Sequence, residues 1–470
     1  MTYDLIVIGG GPAGEKGAAQ AAYFGKKVAL VERSRNLAGV VANTGIPFKA
    51  LRETALHLAG YRTRKLRGVD FHLDERATLR DLLSQENALV RNLRLRVATN
   101  LDNHNADIFP GEASFVDPHT VRVEHRGRAP ILLSADVVLI ACGSRPCHPP
   151  EFQFDTDGIY DSDTFIRAHD MPKRLAVVGA GPMGCEYASV MALLGCSVSL
   201  INAGDSLLPF LDSEVSSLLQ QSLIEAGIDL MMSARVIEVS GGQPFKLSLD
   251  DQGEVKADAV VVATGRVGNT DGLALENAGL APDARGLLTV DENLRTAQPH
   301  IYAAGDVIGF PGLASSSMEQ ARMAMVHAFD LKYKQQAATL MPFGVYTIPE
   351  CSMVGETEGT AQRKGIPYVV GRARYRDNAR GGIIGDDVGF LKLLYCCDDM
   401  RLIGAHMLGE QSIELINIGL LSMQMNGTFQ PFIDACFNFP SLAELYKYAT
   451  YDAMKRVQQG RVQGSPIPYS

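Results

Sequence analysis

The chain has 470 residues, of which 46% are hydrophobic, and a formal net charge of -9 at pH 7. This length accommodates about three domains with separate cores, and the acidic balance disfavours a nucleic-acid partner. No apolar run approaches the ~20 residues of a membrane-spanning helix, and the first residues lack the basic region of a secretory signal. Eight cysteines without a C-x-x-C pair predict a reducing, cytoplasmic setting without disulfides.

The first predicted elements form a strand–turn–helix–strand pattern. Residues 5–8 are a continuous apolar run, typical of a parallel strand buried on both faces. The motif G-x-G-x-x-G follows at residues 9–14, and residues 15–24 have a helical pattern. A second buried run at residues 28–31 leads directly to Glu32.

This pattern predicts a dinucleotide-binding unit. The glycines permit a tight turn and close approach of the backbone to a pyrophosphate, to which the helix N-terminus donates hydrogen bonds. The Glu32 carboxylate can accept hydrogen bonds from a ribose diol. A lone glycine motif also fits an ordinary turn, but the strand, helix and acid in register favour a nucleotide site.

The next hundred or so residues contain weaker signals. Residues 33–44 are predicted to be irregular, and a helix is predicted from Pro47 to Leu58. Apolar residues at helical spacing predict one or two amphipathic helices within 66–96. Short sheet segments at 111–124 precede a buried strand at 136–143, which ends in small residues suited to a nearby ligand.

The opening pattern then recurs. An apolar strand at 174–178 leads into a second G-x-G-x-x-G at 179–184, a helix follows, and a strand at 198–201 ends at Asn202. Two such units imply two dinucleotides, and hence electron transfer between them.

The remaining chain contains further predicted strands, and its sequence pattern changes near residue 342. Buried strands are predicted at 257–265 and 301–306, followed by a helix at 312–329 and a linker at 332–341. From residue 342 onward strands alternate with helices and no phosphate-binding loop is evident, which favours a C-terminal interface domain over a substrate-binding one.

Together these motifs resemble the two-dinucleotide-binding flavoproteins related to dihydrolipoamide dehydrogenase and glutathione reductase. The matching motifs are the glycine loops at 9–14 and 179–184, Ile-Pro-x-Lys at 46–49, Ala-x-Gly at 141–143, Ala-Thr-Gly-Arg at 263–266 and Ala-Gly-Asp at 304–306. Within that superfamily the chain is most similar to the soluble, Si-face-specific NAD(P) transhydrogenases. That similarity rests on stretches such as Ile-Ala-Cys-Gly-Ser-Arg-Pro at 140–146 and Tyr-Thr-Ile-Pro-Glu at 346–350.

The resemblance implies FAD in the first unit, with Glu32 on its ribose and Asp306 on its ribityl chain, and NAD(H) or NADP(H) in the second. It implies that Lys49 and Glu186 are catalytic, beside flavin N5. A solvated Lys49 and an exposed Glu186 are the alternative reading. The implied cofactor-binding residues are Gly9, Gly11, Pro12, Ala13, Gly14, Glu32, Arg33, Lys49, Ala113, Ala141, Gly143, Gly179, Gly181, Gly184, Asn202, Gly265, Gly305, Asp306 and Ala314. No metal site is predicted.

Departures from the family pattern concern the redox cysteines. Its disulfide reductases carry two cysteines just before Ile-Pro-Ser-Lys, whereas residues 37–49 here contain none, and Phe48 replaces the serine. The C-terminal His-Pro of those enzymes is Phe439-Pro440 here. Val41 stands at the position of the first cysteine. Valine cannot exchange a thiol and phenylalanine cannot activate one, so disulfide reductase is excluded. Cys142 and Cys147 have the right separation but the wrong location, which disfavours a redox role.

The end of the second unit bears on the choice of nucleotide. Asn202 replaces the acid that would repel a 2′-phosphate, so both NAD and NADP are permitted. The arginines that often follow in NADP-binding proteins are Gly204 and Ser206 here, so no phosphate clamp is visible.

We therefore predict an α/β protein with two Rossmann-like dinucleotide-binding domains and a C-terminal α+β dimerisation domain. The expected boundaries are 1–147 for FAD, 148–265 for NAD(P), 266–335 for a central segment that returns to the FAD domain, and 340–470 for dimerisation of a homodimer. The leading hypothesis is a transhydrogenase working by ping-pong hydride transfer. An NAD(P)H diaphorase or oxidase, or a flavin-binding protein with little turnover, are the alternatives.

Overall fold

The computed structural model describes residues 1–34, 36–63, 78–83, 86–125, 127–250, 253–333 and 340–460. These residues form sheets with helices packed against them, the α/β class predicted from the sequence. The helices predicted within 66–96 and the linker predicted at 332–341 lie partly outside the described residues. No helix of the described residues is long and apolar enough to cross a membrane.

The strands are numbered here in chain order within the described residues. They are β1 (Thr2–Ile8), β2 (Val28–Glu32), β3 (Asp107–Pro110), β4 (Glu112–Asp117), β5 (Thr120–Glu124), β6 (Ile131–Ile140), β7 (Ser144–Pro146), β8 (Ile159–Asp161), β9 (Arg174–Val178), β10 (Ser197–Asn202), β11 (Asp229–Met232), β12 (Val236–Ser240), β13 (Phe245–Leu249), β14 (Glu254–Ala257), β15 (Ala259–Val262), β16 (Arg266–Gly268), β17 (Ile301–Ala303), β18 (Phe343–Val345), β19 (Cys351–Gly355), β20 (Tyr368–Arg374), β21 (Phe390–Cys396) and β22 (Leu402–Leu408).

The helices are numbered in the same way. They are α1 (Pro12–Tyr23), α2 (Ile46–Thr63), α3 (Leu79–Leu82), α4 (Glu86–Asn103), α5 (Pro182–Leu193), α6 (Ser213–Glu225), α7 (Ala314–Ala328), α8 (Glu358–Arg363), α9 (Ala379–Ile384), α10 (Ser412–Gln424), α11 (Gln430–Asp434) and α12 (Leu445–Gln458). One π-helical turn, Val41–Gly45, directly precedes α2.

The first sheet has a parallel core in the order β3-β2-β1-β6-β17, and the hairpin of β4 and β5 extends it from the start of β6. The apolar run of β1 is fully buried, as its composition predicts. Because β1 lies between β2 and β6, its carboxyl end is central at the edge where ligands bind in such sheets.

The second sheet is parallel throughout, in the order β11-β10-β9-β15-β8. Leu175 pairs with Val198 here as Leu5 pairs with Val28 in the first sheet, so the two βαβ units have the same register. This agreement confirms the duplication predicted from the glycine motifs.

The C-terminal region is built on a third sheet, which is antiparallel in the order β18-β19-β22-β21-β20. Helices α10 and α12 pack on it, and their apolar faces complete its core. A small antiparallel sheet of β12, β13 and β14 and a ribbon of β7 and β16 account for the other strands of the described residues.

The chain before α2 differs from the prediction. Residues 33–44 were expected to be irregular, but the helix already includes the π turn Val41–Gly45, where the N–H of Ile46 donates to the carbonyl of Val41. Pro47 provides the reason: it has no N–H, and its ring would clash with the carbonyl four residues earlier in a regular α-helix. The wider turn accommodates Pro47 inside the helix instead of at its start.

Candidate functional site

The first glycine loop follows β1 and is shaped by close contacts with the backbone. Gly9 has φ +107°, and a Cβ there would lie 2.3 Å from the carbonyl oxygen of Ala141, directly after the neighbouring strand β6. A Cβ at Gly14 would lie 1.7 Å from the Gly9 carbonyl oxygen. The sequence has glycine at both positions because no side chain fits.

The start of α1 is open towards the loop. Gly11 is its N-cap residue and, as a glycine, has no side chain that could cap the helix, and Pro12 is the first helical residue. Space around Gly11 is free within 4 Å of an added Cβ. The first N–H groups of α1 therefore face open space and fit the oxygens of a pyrophosphate.

Glu32 ends β2 and is fixed beside this loop. One of its carboxylate oxygens accepts the N–H of Gly10 at 2.6 Å and the other accepts the N–H of Ser34 at 2.7 Å. Exposed Arg33 follows Glu32, and Ala113 lies on β4, near Gly111, whose N–H donates to the Glu32 carbonyl. Each carboxylate oxygen keeps a lone pair for a ribose hydroxyl.

The other predicted flavin-side residues lie at the same edge of the first sheet. Ala141 and Gly143 follow β6, and Gly305 and Asp306 follow β17, its parallel neighbour. A Cβ at Gly305 would lie 3.2 Å from the Cβ of Ala13 at the start of α1. Nearby, α7 begins at Ala314.

Asp306 is oriented by a chain of polar side chains. Ser144 donates to its carboxylate at 2.8 Å, and the Nε of Arg266 donates to the Ser144 hydroxyl at 2.7 Å. Arg266 also pairs with Asp163, at 2.9 Å. Sequence reasoning did not single out these partners, although Ser144 and Arg266 lie within two of the motifs above.

The second glycine loop repeats the first. Gly179 has φ +106°, and a Cβ at Gly184 would lie 1.7 Å from the Gly179 carbonyl oxygen. Gly181 is the uncapped N-cap residue of α5, and a Cβ there would contact nothing within 4 Å. Gly265, at φ +120°, is equally open on the neighbouring chain segment after β15.

Asn202 occupies the position of Glu32 in this second unit. Its Oδ1 accepts the N–H of Ala180 at 3.1 Å, and its Nδ2 donates to the carbonyls of Gly204 and Ser206. The amide thus holds both the glycine loop and the loop after β10, and it brings no negative charge.

Lys49 and Glu186 join the two units. Lys49 lies on α2 and Glu186 on α5, and the Lys49 ammonium donates to the Glu186 carboxylate at 2.8 Å. The Glu186 side chain is 4% exposed and that of Lys49 is 30% exposed. Glu186 is therefore not the exposed residue of the alternative reading, and its ammonium partner faces a space still open to solvent.

Tyr346, on the loop after β18, contacts both members of this pair. Its N–H donates to the other oxygen of Glu186 at 2.8 Å, and its ring centroid lies 4.6 Å from the Lys49 nitrogen. The motif Tyr-Thr-Ile-Pro-Glu indicated that this stretch belongs to the family pattern. It gave no sign that Tyr346 reaches the ion pair.

Comparisons with known proteins decide the family. The model of the pyridine nucleotide-disulphide oxidoreductases matches residues 3–328, and that of the pyridine nucleotide-disulphide oxidoreductase dimerisation domain matches residues 341–450. This chain belongs to the pyridine nucleotide-disulphide oxidoreductases. It is thus an oxidoreductase of a flavoprotein family whose cofactors are FAD and NAD(P)H, as the motifs implied.

Similar proteins and solved structures match this chain along nearly its whole length. A protein named soluble pyridine nucleotide transhydrogenase from Mycobacterium bovis (strain BCG / Pasteur 1173P2) is 40% identical, covering 97% of this chain and 98% of that protein. A protein of the same name from Escherichia coli O9:H4 (strain HS) is 38% identical over the same shares. LpdA from Mycobacterium tuberculosis has a TM-score of 0.88 at 26% identity, covering 95% of this chain and 99% of that one.

A further similar structure is a disulfide reductase by name. The Cu(II) complex of the HOCl-induced flavoprotein disulfide reductase RclA from Escherichia coli has a TM-score of 0.85 at 28% identity, covering 97% of this chain and 100% of that one. The fold of the oxidoreductase family is therefore shared with a protein named as a disulfide reductase, whereas residues 37–49 of this chain contain no cysteine.

Aromatic packing fills the region around the start of α2 in this family member. Phe48 is fully buried, and its ring lies 4.8 Å from that of Tyr187 in an edge-on arrangement. Tyr187 in turn contacts Phe165, at 5.2 Å. The residue that replaces the usual serine is therefore part of the core between α2 and α5.

The cysteines of this oxidoreductase are all free, and none is close to Lys49 in sequence. Burial raises the pKa of Cys142 to about 12, so its thiol stays protonated at neutral pH. This agrees with the interpretation that Cys142 and Cys147 are not a redox pair. At the other end of the family pattern, Phe439 is 76% exposed, with Pro440 after it.

The residues present fit FAD and a nicotinamide dinucleotide. Both βαβ units combine an uncapped helix N-terminus, open space at the middle glycine and a polar acceptor at the end of the second strand. In the part of the chain that is described, no group of three or more histidine, cysteine or acidic side chains is arranged to hold a metal ion.

Proposed function

We propose that this chain is an FAD-dependent pyridine nucleotide transhydrogenase that transfers hydride between NADPH and NAD. The observation that carries the proposal is at α2, where the Lys49–Glu186 ion pair is present but residues 37–48 contain no thiol. Without a dithiol to receive electrons, a second nicotinamide is the acceptor that the second unit can bind. The names of the two transhydrogenase relatives support the same activity.

The chain's own residues bind and orient the reactants. The helix N-termini at Gly11 and Gly181 donate to pyrophosphate oxygens, and Glu32 accepts from a ribose. When bound, FAD supplies a two-electron carrier that accepts hydride from one nicotinamide and returns it to another. Lys49, held by Glu186, places a positive charge where negative charge develops.

The order of binding follows from the duplication. The second unit is the place for the nicotinamide dinucleotides, so we infer that they occupy it in turn, which is a ping-pong scheme. The neutral Asn202 supports this because it repels neither a 2′-phosphate nor a ribose hydroxyl. The first unit keeps its FAD throughout.

The proposal includes the domain boundaries 1–147, 148–265, 266–335 and 340–470, a homodimer and a cytoplasmic location. The match of residues 341–450 to a dimerisation domain supports the dimer, as do exposed apolar side chains there such as Leu421 and Met425. Free cysteines support the location. Size-exclusion chromatography with light scattering tests the dimer, which a monomer mass at micromolar concentration would contradict.

Anaerobic stopped-flow absorbance tests the activity. The purified yellow protein is mixed with NADPH, loss of flavin absorbance is followed, and thio-NAD is then added. We expect rapid bleaching and then return of flavin absorbance together with thio-NADH. Failure to bleach contradicts any turnover with NADPH. Bleaching that only oxygen or a quinone reverses indicates an oxidase or diaphorase instead.

A further inference from the structure

We propose that Tyr346 is a positioning residue of the reaction: its aromatic ring holds the Lys49 ammonium in place at the flavin. This inference rests on the proposed function, because it assigns Lys49 the role described above. It adds the C-terminal domain to the machinery, since Tyr346 follows β18 of the third sheet.

The loop that carries Tyr346 is attached to one face of α5. The N–H of Tyr346 donates to Glu186 at 2.8 Å, and the N–H of Ile348 donates to the hydroxyl of Ser189 at 3.2 Å. Glu186 and Ser189 are three residues apart and lie on the same side of the helix. Two backbone hydrogen bonds therefore fix this loop relative to Glu186, the partner of Lys49.

A second cation fixes the other side of the loop. Arg52, one turn beyond Lys49 on α2, is buried, and its guanidinium lies 5.8 Å from the Tyr346 ring centroid. Arg52 pairs with Glu350 at 2.9 Å and donates to the carbonyl of Thr347. The ring of Tyr346 is thus placed by groups that are themselves immobilised.

The ring then acts on Lys49. The ammonium lies 4.6 Å from the Tyr346 centroid and 5.0 Å from that of Phe48, both within the range of a cation–π contact. Glu186 alone would leave a partly exposed ammonium free to rotate about one carboxylate. The negative face of each ring restricts it further and stabilises its charge, more strongly once a bound flavin excludes water.

The tyrosine hydroxyl is not the active part. Burial, together with the nearby carboxylates of Glu350 and Glu414, raises the pKa of Tyr346, so the phenol is neutral at working pH. The hydroxyl supplies no charge to Lys49, and phenylalanine should serve as well. That expectation separates an aromatic role from a hydrogen-bonding one.

A mutant cycle tests the proposal. Tyr346→Leu should slow the limiting rate of flavin reduction by NADPH about five- to thirty-fold and lower the midpoint potential of bound FAD. Tyr346→Phe should restore both. In a Lys49→Met background, Tyr346→Leu should change neither quantity further, because the group through which the ring acts is absent.

The potential is measured by dithionite titration without any nicotinamide nucleotide, so it is independent of transhydrogenase activity. Failure of NADPH to bleach the flavin would contradict the proposed function and leave the potentials to decide this inference. The inference would be overturned if Tyr346→Phe slowed flavin reduction and lowered the potential as much as Tyr346→Leu does. It would also be overturned if Tyr346→Leu had its full effect on rate and potential in the Lys49→Met background.

Controls address folding and general surface effects. Tyr23→Leu changes a tyrosine that is 71% exposed at the far end of α1 and should leave rate and potential unchanged. Thermal unfolding and FAD content are compared for every variant. If Tyr346→Leu does not fold, Tyr346→Met provides the same loss of the ring with a flexible side chain, and the same outcomes apply.

Discussion

The two βαβ units have nearly the same backbone geometry in their glycine loops, but they differ in the charge of the residue that ends the second strand. Gly9 and Gly179 have φ of +107° and +106°, and added Cβ atoms at Gly14 and Gly184 would each lie 1.7 Å from a loop carbonyl oxygen. The residue at the end of the second strand is Glu32 in one unit and Asn202 in the other. The shared backbone suits any pyrophosphate, whereas this one side chain is the position that we propose faces the ribose that distinguishes the nucleotides.

The units also differ in how they join the rest of the protein. The first packs helix on helix, where a Cβ at Gly17 of α1 would lie 3.5 Å from that of Ala321 on α7. The second is attached to the C-terminal domain by buried charges, since Lys392 on β21 donates to Asp212 at the start of α6, at 2.8 Å. Under the proposed function, FAD stays on the first unit and nicotinamides exchange on the second, so the two events would occur on differently anchored units.

The largest expected effect comes from adding a methyl group at the last glycine of each loop. The same change should cost one unit its FAD and the other its reaction with NADPH. Gly14→Ala should give protein without FAD, because the forced loop movement removes the pyrophosphate cradle. Gly184→Ala should keep the yellow colour but lose bleaching by NADPH. Flavin absorbance after gel filtration measures FAD content, and its loss when NADPH is added measures bleaching. Gly242→Ala, in open space, is the control, and a colourless Gly184→Ala would contradict the separation of the two sites.

The charged anchor of the second unit is tested by Lys392→Met. Lys392 and Asp212 are each 1% exposed, so the change leaves a buried carboxylate without its cation and should destabilise the fold by about 3–5 kcal/mol. Urea unfolding at pH 7 measures this loss. A variant as stable as the wild type would show that the buried pair contributes no anchoring.

The same pair predicts a pH dependence. Burial would raise the pKa of Asp212, but His406 and Lys392 hold it below its ordinary value. A lowered carboxyl pKa stabilises the fold above its unfolded value, and that stabilisation is lost as the pH falls through the folded value. The difference in unfolding free energy between wild type and Lys392→Met should therefore shrink below about pH 4. A constant difference down to pH 3 would exclude this titration.

The link between the units is tested by Lys49→Met. The ammonium spans from α2 to Glu186 on α5, so its loss should slow flavin reduction by NADPH about ten- to a hundred-fold with little change in FAD content. Stopped-flow absorbance measures the rate. Lys332→Met, on the surface, provides a matched loss of charge, and an unchanged rate in Lys49→Met would remove Lys49 from the site.

The smallest expected effect concerns the one side chain that differs. Asn202→Asp keeps the oxygen that accepts the N–H of Ala180 but adds a negative charge near the ribose. We expect the KM for NADPH to rise about ten-fold, with that for NADH nearly unchanged. Asn202→Ala controls for loss of the amide itself. Equal effects on the two nucleotides would mean that this position does not face the 2′-phosphate.

The sequence was informative wherever a backbone constraint dictates residue type. The first and last glycines of each loop can be predicted because no side chain fits at Gly9, Gly14, Gly179 or Gly184, and the strand–helix–strand register around them sets the sheet order. Lys49 and Glu186 came from a resemblance, and the structure brings their side chains within hydrogen-bonding distance. Their roles, like those of the cofactor-binding residues, stay predictions for the experiments above.

Contacts between segments that are distant in sequence could not be predicted from the sequence. Tyr346 reaches Glu186 across 160 positions of sequence, and Ser144 reaches Asp306 across 162. Neither pairing has a local pattern, because it depends on how three sheets pack. The π turn before α2 was also missed, since Pro47 reads as a helix start by propensity alone.

The aromatic packing at Phe48, in a stretch without thiols, has a consequence for electron stoichiometry. A dithiol beside a flavin would add a second two-electron store to the flavin's own. Here Phe48 and Tyr187 are buried beside Lys49, and residues 37–49 contain no sulfur. If FAD is bound as proposed, this stretch adds no second store. We therefore expect anaerobic dithionite titration to take up one electron pair per chain, which must be returned before the next donor can deliver its own.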